Sequence, residues 1–136
     1  MTHNYKALAP EITVFERGWL SSNNILFVGQ RSGSALVDTG YCTHSAQTLA
    51  LVQSALGERP LERILNTHLH SDHCGGNAAL QQAWPGVQTA IPPGQAAHVR
   101  TWDAYALSYT PTGQECPQFR CDALLQPDTE ELLGDR

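Results

Sequence analysis

A short histidine-rich stretch carries the clearest chemistry in this sequence. Residues 67–77 read THLHSDHCGGN and place His68, His70, Asp72 and His73 within six positions. In extended backbone, residues two apart point to the same side, so His68 and His70 can face one ligand. Imidazole nitrogens with one carboxylate suit zinc, iron or manganese, whereas calcium and magnesium favour oxygen ligands alone. The spacing therefore predicts a metal-binding loop.

Histidines also occur as surface or core residues without any ligand role, and for a lone histidine that is the better interpretation. Three within six positions, beside an aspartate, are harder to explain in that way. The stretch continues with Gly75-Gly76, which permits a tight turn and a close approach of the backbone to the site. The grouping therefore favours the metal-binding interpretation.

The hydrophobic pattern predicts the elements that must position this loop. Apolar or alternating runs predict strands over 12–16, 24–28 and 34–38, joined by short turns into a meander. Apolar spacings of three and four predict a helix over 43–57, and a further strand is predicted over 61–67. Strand, helix and strand in this order form a βαβ unit with parallel strands. Later patterns predict helices over 77–84 and 94–109, a strand over 87–91, a loop over 110–123, and two short strands around a turn at Pro127-Asp128.

The βαβ unit places two polar segments side by side. Asp38-Thr39-Gly40 begins where the strand 34–38 ends, and the histidine stretch follows the strand 61–67. The carboxyl ends of neighbouring parallel strands lie at one edge of a sheet, where ligands bind in open α/β folds. We therefore expect Asp38 and the histidines to share one crevice.

Composition narrows the classes of partner. The chain has 136 residues, 41% hydrophobic residues and a net charge of −5 with only eight Lys and Arg. No basic run suits nucleic acid, and no apolar run approaches the ~20 residues of a membrane span. The start lacks the basic and apolar segments of a secretory signal. We therefore expect a cytoplasmic protein that acts on a small-molecule substrate, with neither nucleic acid nor a membrane as partner.

The four cysteines, at positions 42, 74, 116 and 121, lack the spacing of a disulfide framework. Free thiols are the expected state in a reducing compartment. Cys116 and Cys121 flank four residues and are the pair that an oxidising setting would bridge. Cys42 and Cys74 lie near the predicted crevice, where packing is their expected role.

His68, His70, Asp72 and His73, followed by Gly75-Gly76-Asn77, resemble the metal-binding motif of the metallo-β-lactamase superfamily. The run Leu36 to Gly40 and the order of elements resemble that family too. The resemblance implies an α/β fold, the N-terminal half of an αββα sandwich with a mixed sheet and a βαβ crossover. It implies a binuclear zinc site, with iron or manganese as alternatives. His68 and His70 would bind the first metal, Asp72 and His73 the second, and Asp72 would also act in catalysis. Asp38 and Thr67 would steady the ligand loop.

The resemblance also separates subfamilies. Many clinically familiar zinc β-lactamases carry an arginine at the position of His73, and the flavin-partnered di-iron relatives carry a glutamate within the motif. Glyoxalase II-like thioester hydrolases, lactonases, other β-lactamases, sulfatase-like enzymes, nucleases and mono-iron persulfide dioxygenases remain. The leading hypothesis is a hydrolase of an ester, thioester, lactone or amide. The alternatives are a persulfide dioxygenase or a non-catalytic half-domain.

Family members supply further metal ligands downstream: two histidines and a bridging aspartate. This chain has six histidines, and none follows His98. We therefore expect residues 1–136 to be a single, truncated domain that is inactive alone and associates with itself or with the missing C-terminal half. His44 and His98 are weaker candidates to replace those ligands. A surface role is the better interpretation for His44, and a structural role is the better one for His98.

Three aromatic residues are candidates for a substrate pocket. Trp19 lies in the first predicted loop, and Trp102 and Tyr105 lie in the predicted helix 94–109. Aromatic side chains more often belong to the core or its rim, which is the competing interpretation for each.

Overall fold

One mixed β-sheet organises the chain, and the order of its strands in space follows their order in sequence. The computed structural model describes residues 4–9, 11–17, 22–30 and 33–135. The first four strands pair antiparallel, and the fourth to the seventh pair parallel. The strands are β1 (Asn4–Ala9), β2 (Ile12–Glu16), β3 (Asn24–Phe27), β4 (Ser34–Val37), β5 (Leu61–Leu65), β6 (Gln88–Ile91) and β7 (Ala123–Leu124).

Helices connect the parallel strands. They are α1 (Ser45–Leu56), α2 (Ser71–Cys74), α3 (Asn77–Ala83), α4 (Ala96–Thr101) and α5 (Tyr109–Thr112). Helix α1 joins β4 to β5, so the predicted meander and βαβ unit are both confirmed. In the described part of the chain no helix is both long and apolar enough to cross a membrane.

The two faces of the sheet are covered differently. Leu26, Leu36 and Ile64 are neighbours across β3, β4 and β5 on one face, where they pack with Val52 of α1 and Leu80 of α3. All five are fully buried, as the side chains of a helix-covered sheet face must be. On the other face, Ala35, Leu65 and Ala90 form a smaller buried cluster. Leu125 and Leu133, from the C-terminal segment, pack against it.

The predicted helix over 94–109 is wrong beyond its first half. Helix α4 ends at Thr101, because Trp102 adopts a left-handed backbone conformation with φ 52°. Ser108 adopts a second one with φ 70° just before α5. The Trp102 ring lies 6.0 Å from that of Tyr109 and 5.3 Å from that of Phe119. We attribute the break to this packing, which outweighs the helical pattern of the sequence.

Two smaller predictions about the ends of the chain are also corrected. Strand β1 carries no clear apolar alternation and was not predicted. No second strand follows the turn at Pro127-Asp128, because residues 129–133 run alongside the sheet without joining it. Arg63 holds that segment through the carbonyl oxygen of Leu132 at 3.1 Å and the carboxylate of Glu131 at 3.0 Å.

Glycines let the loop between α2 and α3 lie directly on the end of β4. A Cβ atom built on Gly75 would stand 2.5 Å from the backbone nitrogen of Cys42, and one on Gly76 would overlap the carbonyl oxygen of Thr39. Both neighbours are backbone atoms, which cannot move aside as a flexible side chain does. Close backbone contact therefore requires glycine at both positions.

We predict that Gly76→Ala lowers the free energy of unfolding by about 1–3 kcal/mol, the range for overpacked interior sites. Gly86→Ala is the matched control, because nothing lies within 4 Å of a Cβ built there. Urea unfolding of both variants measures the difference. Equal stability of the two variants would contradict the close approach at Gly76.

Candidate metal centre

The histidine loop begins where β5 ends. Thr67 and His68 form a bend there, His70 is extended, and the chain then turns into the short helix α2. The amide of His73 donates to the carbonyl oxygen of His70 at 2.9 Å, which closes that turn. His68 therefore comes from a bend and His70 from extended backbone, whereas Asp72 and His73 come from the first helical turn.

A buried carboxylate, Asp38, lies behind this loop with only 4% of its surface exposed. Its backbone is left-handed, with φ 61°, a conformation that aspartate tolerates better than most residues. One carboxylate oxygen accepts the Thr67 amide at 2.9 Å. The other accepts the Thr67 hydroxyl at 2.7 Å and lies 2.9 Å from Nδ1 of His73. Asp38 thus contacts the loop at Thr67, directly before the first candidate ligand, and at His73, the last one.

These contacts select the tautomers of two histidines. An ionised carboxylate only accepts hydrogen bonds, so His73 must carry its proton on Nδ1. The single hydroxyl proton of Thr67 also goes to Asp38, so Thr67 accepts from Nδ1 of His68, 3.1 Å away. In its neutral form, each ring then carries its lone pair on Nε2. A histidine that binds a metal through one ring nitrogen commonly donates a hydrogen bond from the other nitrogen to a carboxylate or to another polar group.

The four candidate ligands lie together at the surface. The ring centroids of His68 and His70 are 4.7 Å apart, and those of His68 and His73 are 3.7 Å apart. Asp72 places a carboxylate oxygen 3.6 Å from Nε2 of His73. Burial, and next the neighbouring imidazoles, lower the pKa of His68, which favours the neutral form that binds metals. Imidazole nitrogens with one carboxylate are donor types that fit zinc.

The rings pack on one another rather than around a common point. Among the residues that the structure describes, no three His, Cys, Asp or Glu side chains are already arranged as a metal site. Loading would therefore require rotation of side chains about their own bonds. His70 is exposed, and His68, Asp72 and His73 are partly exposed, so these side chains have room to turn.

A buried polar network fixes the backbone beneath the ligands. The carbonyl oxygen of His73 accepts the Thr39 amide at 2.8 Å and the Asn66 side chain at 3.2 Å. Asn77 accepts from the Thr39 hydroxyl at 2.8 Å and donates to Asn66 at 2.7 Å. Thr39, Asn66 and Asn77 are all 0% exposed. Thr39 and Asn77 stand out in the sequence only as members of their motifs, and sequence reasoning missed Asn66; a polar residue directly after strand β5 was the available signal.

Three clefts in the described part of the chain open beside the candidate ligands. One, of about 310 Å³, is lined by His68, His70 and Leu107 among others. A second, of about 190 Å³, lies between Asp72 and Gln114. A third, of about 400 Å³, is lined by Tyr41 and Asp72 among others. A larger cleft of about 410 Å³ lies between α1 and β2, but Arg59 is the one charged residue in its lining. The chemistry therefore points to the clefts beside the loop.

Trp102 and Tyr105 do not line the clefts beside the four candidate ligands. Trp102 is partly buried against Tyr109 and Phe119, and Tyr105 is 71% exposed. Trp19 lies outside the described residues, so the pocket roles of all three stay predictions. His44 precedes α1 and His98 lies within α4.

Comparison with known proteins gives a consistent result. The family model described as the metallo-β-lactamase superfamily matches residues 17–136. A mutant metallo-β-lactamase from Cronobacter sakazakii is 26% identical, with a TM-score of 0.72 over 96% of this chain and 50% of its own. The enzyme GOB-18 from Elizabethkingia meningoseptica is 18% identical, with a TM-score of 0.74 over 96% of this chain and 47% of its own. BJP-1, a subclass B3 metallo-β-lactamase of Bradyrhizobium japonicum, is 20% identical, with a TM-score of 0.71 over 96% and 48%.

The chain thus spans about half the length of the solved structures that it matches. A search among curated proteins finds no match. The expected fold, a mixed sheet with a βαβ crossover like that of the metallo-β-lactamases, is confirmed.

We predict that Asn77→Ala lowers the free energy of unfolding by about 1–3 kcal/mol, because it removes the donor to the buried side-chain oxygen of Asn66 and an acceptor of the buried Thr39 hydroxyl. Gln82→Ala is the control in the same helix. Gln82 is exposed, so its loss should change stability by no more than about 0.5 kcal/mol. Thermal or urea unfolding compares them, and a neutral Asn77→Ala would contradict the role of the network.

Proposed function

This chain belongs to the metallo-β-lactamase superfamily, and we propose that the protein is a metal-dependent hydrolase of an ester, thioester, lactone or amide. The observation that carries the proposal is the contact of Nδ1 of His68 with Thr67 and of Nδ1 of His73 with Asp38, which leaves Nε2 of each neutral ring available to a metal. Hydrolysis of a cyclic amide is the activity that the names of the similar structures indicate, so β-lactams belong among the substrates to test.

The proposed ligands divide between two metal ions. His68 and His70 would hold the first ion, and Asp72 and His73 the second, with zinc as the expected metal and iron or manganese as alternatives. A metal bound there would supply Lewis acidity, polarising a carbonyl oxygen and lowering the pKa of water. Further donors would complete each coordination sphere.

The side chains of the chain have roles of their own in this proposal. Asp72 would accept a hydrogen bond from the attacking water and so orient it beside the scissile carbonyl. Asp38 and Thr67 would hold two of the imidazoles in their ligating tautomers. The clefts beside His70 and Asp72 would admit a small acyl substrate.

The proposal is tested with the natural protein at the full length that its gene encodes. Metal content is measured first, and turnover is then measured on thioester, lactone, ester and β-lactam panels. Hydrolysis that a chelator removes and zinc restores would support the proposal. Bound iron with oxygen uptake on a persulfide, and no hydrolysis, would instead identify the protein as a persulfide dioxygenase.

In that protein we predict that His70→Ala loses more activity than His98→Ala. Removing a group that only orients a metal ligand typically lowers metal affinity or activity by about 10- to 100-fold. Removing the ligand itself should lower activity by at least as much. His98 lies in α4 and lines none of the clefts beside the loop, so its replacement should leave kcat/KM near the parent value. Zinc content is measured on both variants, because a lost ligand lowers it. Equal effects of the two substitutions would refute the ligand assignment.

We further propose that the 136-residue chain alone binds zinc weakly and associates with itself. Two protein ligands per ion are fewer than the three of a catalytic zinc site. Val14, Ile25 and Val37 are paired neighbours on one face of the sheet, and each is only partly buried. Such a continuous apolar strip favours association.

Zinc titration against a competing chelator and static light scattering measure these two properties. The expected result is an affinity well below the nanomolar range and a mass above that of one chain. Val14→Lys should restore the monomer, whereas Thr13→Lys on the opposite face should not. A monomer that holds two zinc ions at nanomolar affinity would contradict both parts.

A further inference from the structure

A pair of thiols lies against the back of the ligand loop. Cys74 is the last residue of α2 and is fully buried, whereas Cys116 is partly exposed in the segment that follows α5. Their sulfur atoms are 3.8 Å apart. A disulfide bond is about 2.0 Å long, so the two sulfurs need to approach by less than the width of an atom to form one.

The surroundings hold this pair together. The hydroxyl of Tyr109 lies 3.2 Å from the Cys74 sulfur and donates to the carbonyl oxygen of Leu69 at 2.8 Å. Because Leu69 belongs to the ligand loop, this contact fastens the start of the segment 109–116 to the loop. Elsewhere, the thiol of Cys121 donates to the carbonyl oxygen of Ala123 at 3.4 Å, and that of Cys42 to Glu115 at 3.5 Å. All four cysteines are free.

We propose that Cys74 and Cys116 form a reactive dithiol that a low-molecular-weight disulfide converts into an intramolecular disulfide. The proposal does not depend on the metal or on hydrolase activity. It also replaces Cys116 and Cys121, the pair that spacing alone suggested, with a pair 42 residues apart in sequence.

The reaction is a thiol–disulfide exchange in two steps. The thiolate of Cys116 attacks one sulfur of the small disulfide, which breaks the S–S bond, forms a mixed disulfide and releases one small thiolate. Cys74 then attacks the Cys116 sulfur, the mixed disulfide breaks, and a second small thiolate leaves. The two protons from the cysteines end on the two released thiols. The protein loses two electrons and the small disulfide gains them.

Cys116 is the residue that attacks first, because it is the one that solvent reaches. Its contact with Cys74 lowers the pKa of the Cys116 thiol, which raises the fraction of reactive thiolate. The buried Cys74 is shielded from the small disulfide and meets only the sulfur of Cys116. This order explains why the mixed disulfide should be short-lived.

The bond would join two walls of the cleft beside Asp72. Helix α2 carries Asp72 and His73 and ends at Cys74. Gln114, two residues before Cys116, contacts the hydroxyl of Ser71 and lines the same cleft. Oxidation would therefore restrain the segment 113–116 against the helix that carries two proposed ligands.

Peptide mapping tests the proposal directly, because trypsin leaves the four cysteines in four different peptides. Cys42 falls in 32–63, Cys74 in 64–100, Cys116 in 101–120 and Cys121 in 121–136. The native chain is treated with oxidised glutathione, remaining thiols are alkylated, and the digest is analysed without reduction. We expect peptide 64–100 linked to 101–120, and alkylation of two of the four cysteines.

Variants and an unfolded sample serve as controls. Cys121→Ser should keep the link, whereas Cys116→Ser should lose it and leave Cys74 alkylated only after unfolding. In urea, links should spread over all pairs. A mixed disulfide that persists on Cys116, or peptide 101–120 linked to 32–63 or 121–136, would overturn the proposal. The wild-type map decides the question by itself if Cys116→Ser does not fold.

Discussion

The buried carboxylate of Asp38 is the constraint on which the site depends. An ionised carboxylate with 4% exposure is costly to bury unless hydrogen bonds replace its water. Thr67 supplies two of those hydrogen bonds and His73 a third. All three come from the segment that follows β5, so the requirement of Asp38 fixes where that segment lies. The positions of the ligands are therefore a consequence of solvating one charge inside the protein.

The same hydrogen bonds connect fold to chemistry. Parallel pairing of β4 and β5 brings Asp38 and Thr67 to one edge of the sheet, where the amide of Asp38 bonds to the carbonyl oxygen of Leu65 at 2.8 Å. Nδ1–H of His68 then donates to Thr67 and Nδ1–H of His73 to Asp38, so in the neutral rings the lone pair lies on Nε2. Beneath them, the Thr39, Asn66 and Asn77 network holds the backbone of the loop. Stability and ligand orientation thus rest on overlapping contacts.

Local patterns predicted much of this arrangement. The motif from His68 to His73 and the strand ending at Asp38 could be recognised from the sequence. The candidate metal ligands lie close together in it, and the strand is one continuous, mostly apolar run. The break at Trp102 could not, since it depends on Tyr109 and Phe119, which are distant in sequence. The Asn66–Asn77 bond and the Cys74–Cys116 contact likewise join residues whose proximity only the folded chain creates.

The ring tautomers of His68 and His73 test the central claim most directly. Long-range ¹⁵N–¹H correlation NMR distinguishes Nδ1–H from Nε2–H imidazoles, and can be recorded before and during addition of zinc. The account predicts Nδ1–H in both rings without metal, and a zinc-induced shift of Nε2 in both. An Nε2–H ring at His73, or zinc that shifts neither Nε2, would contradict the assignment of Asp38 as the group that orients the metal-binding loop.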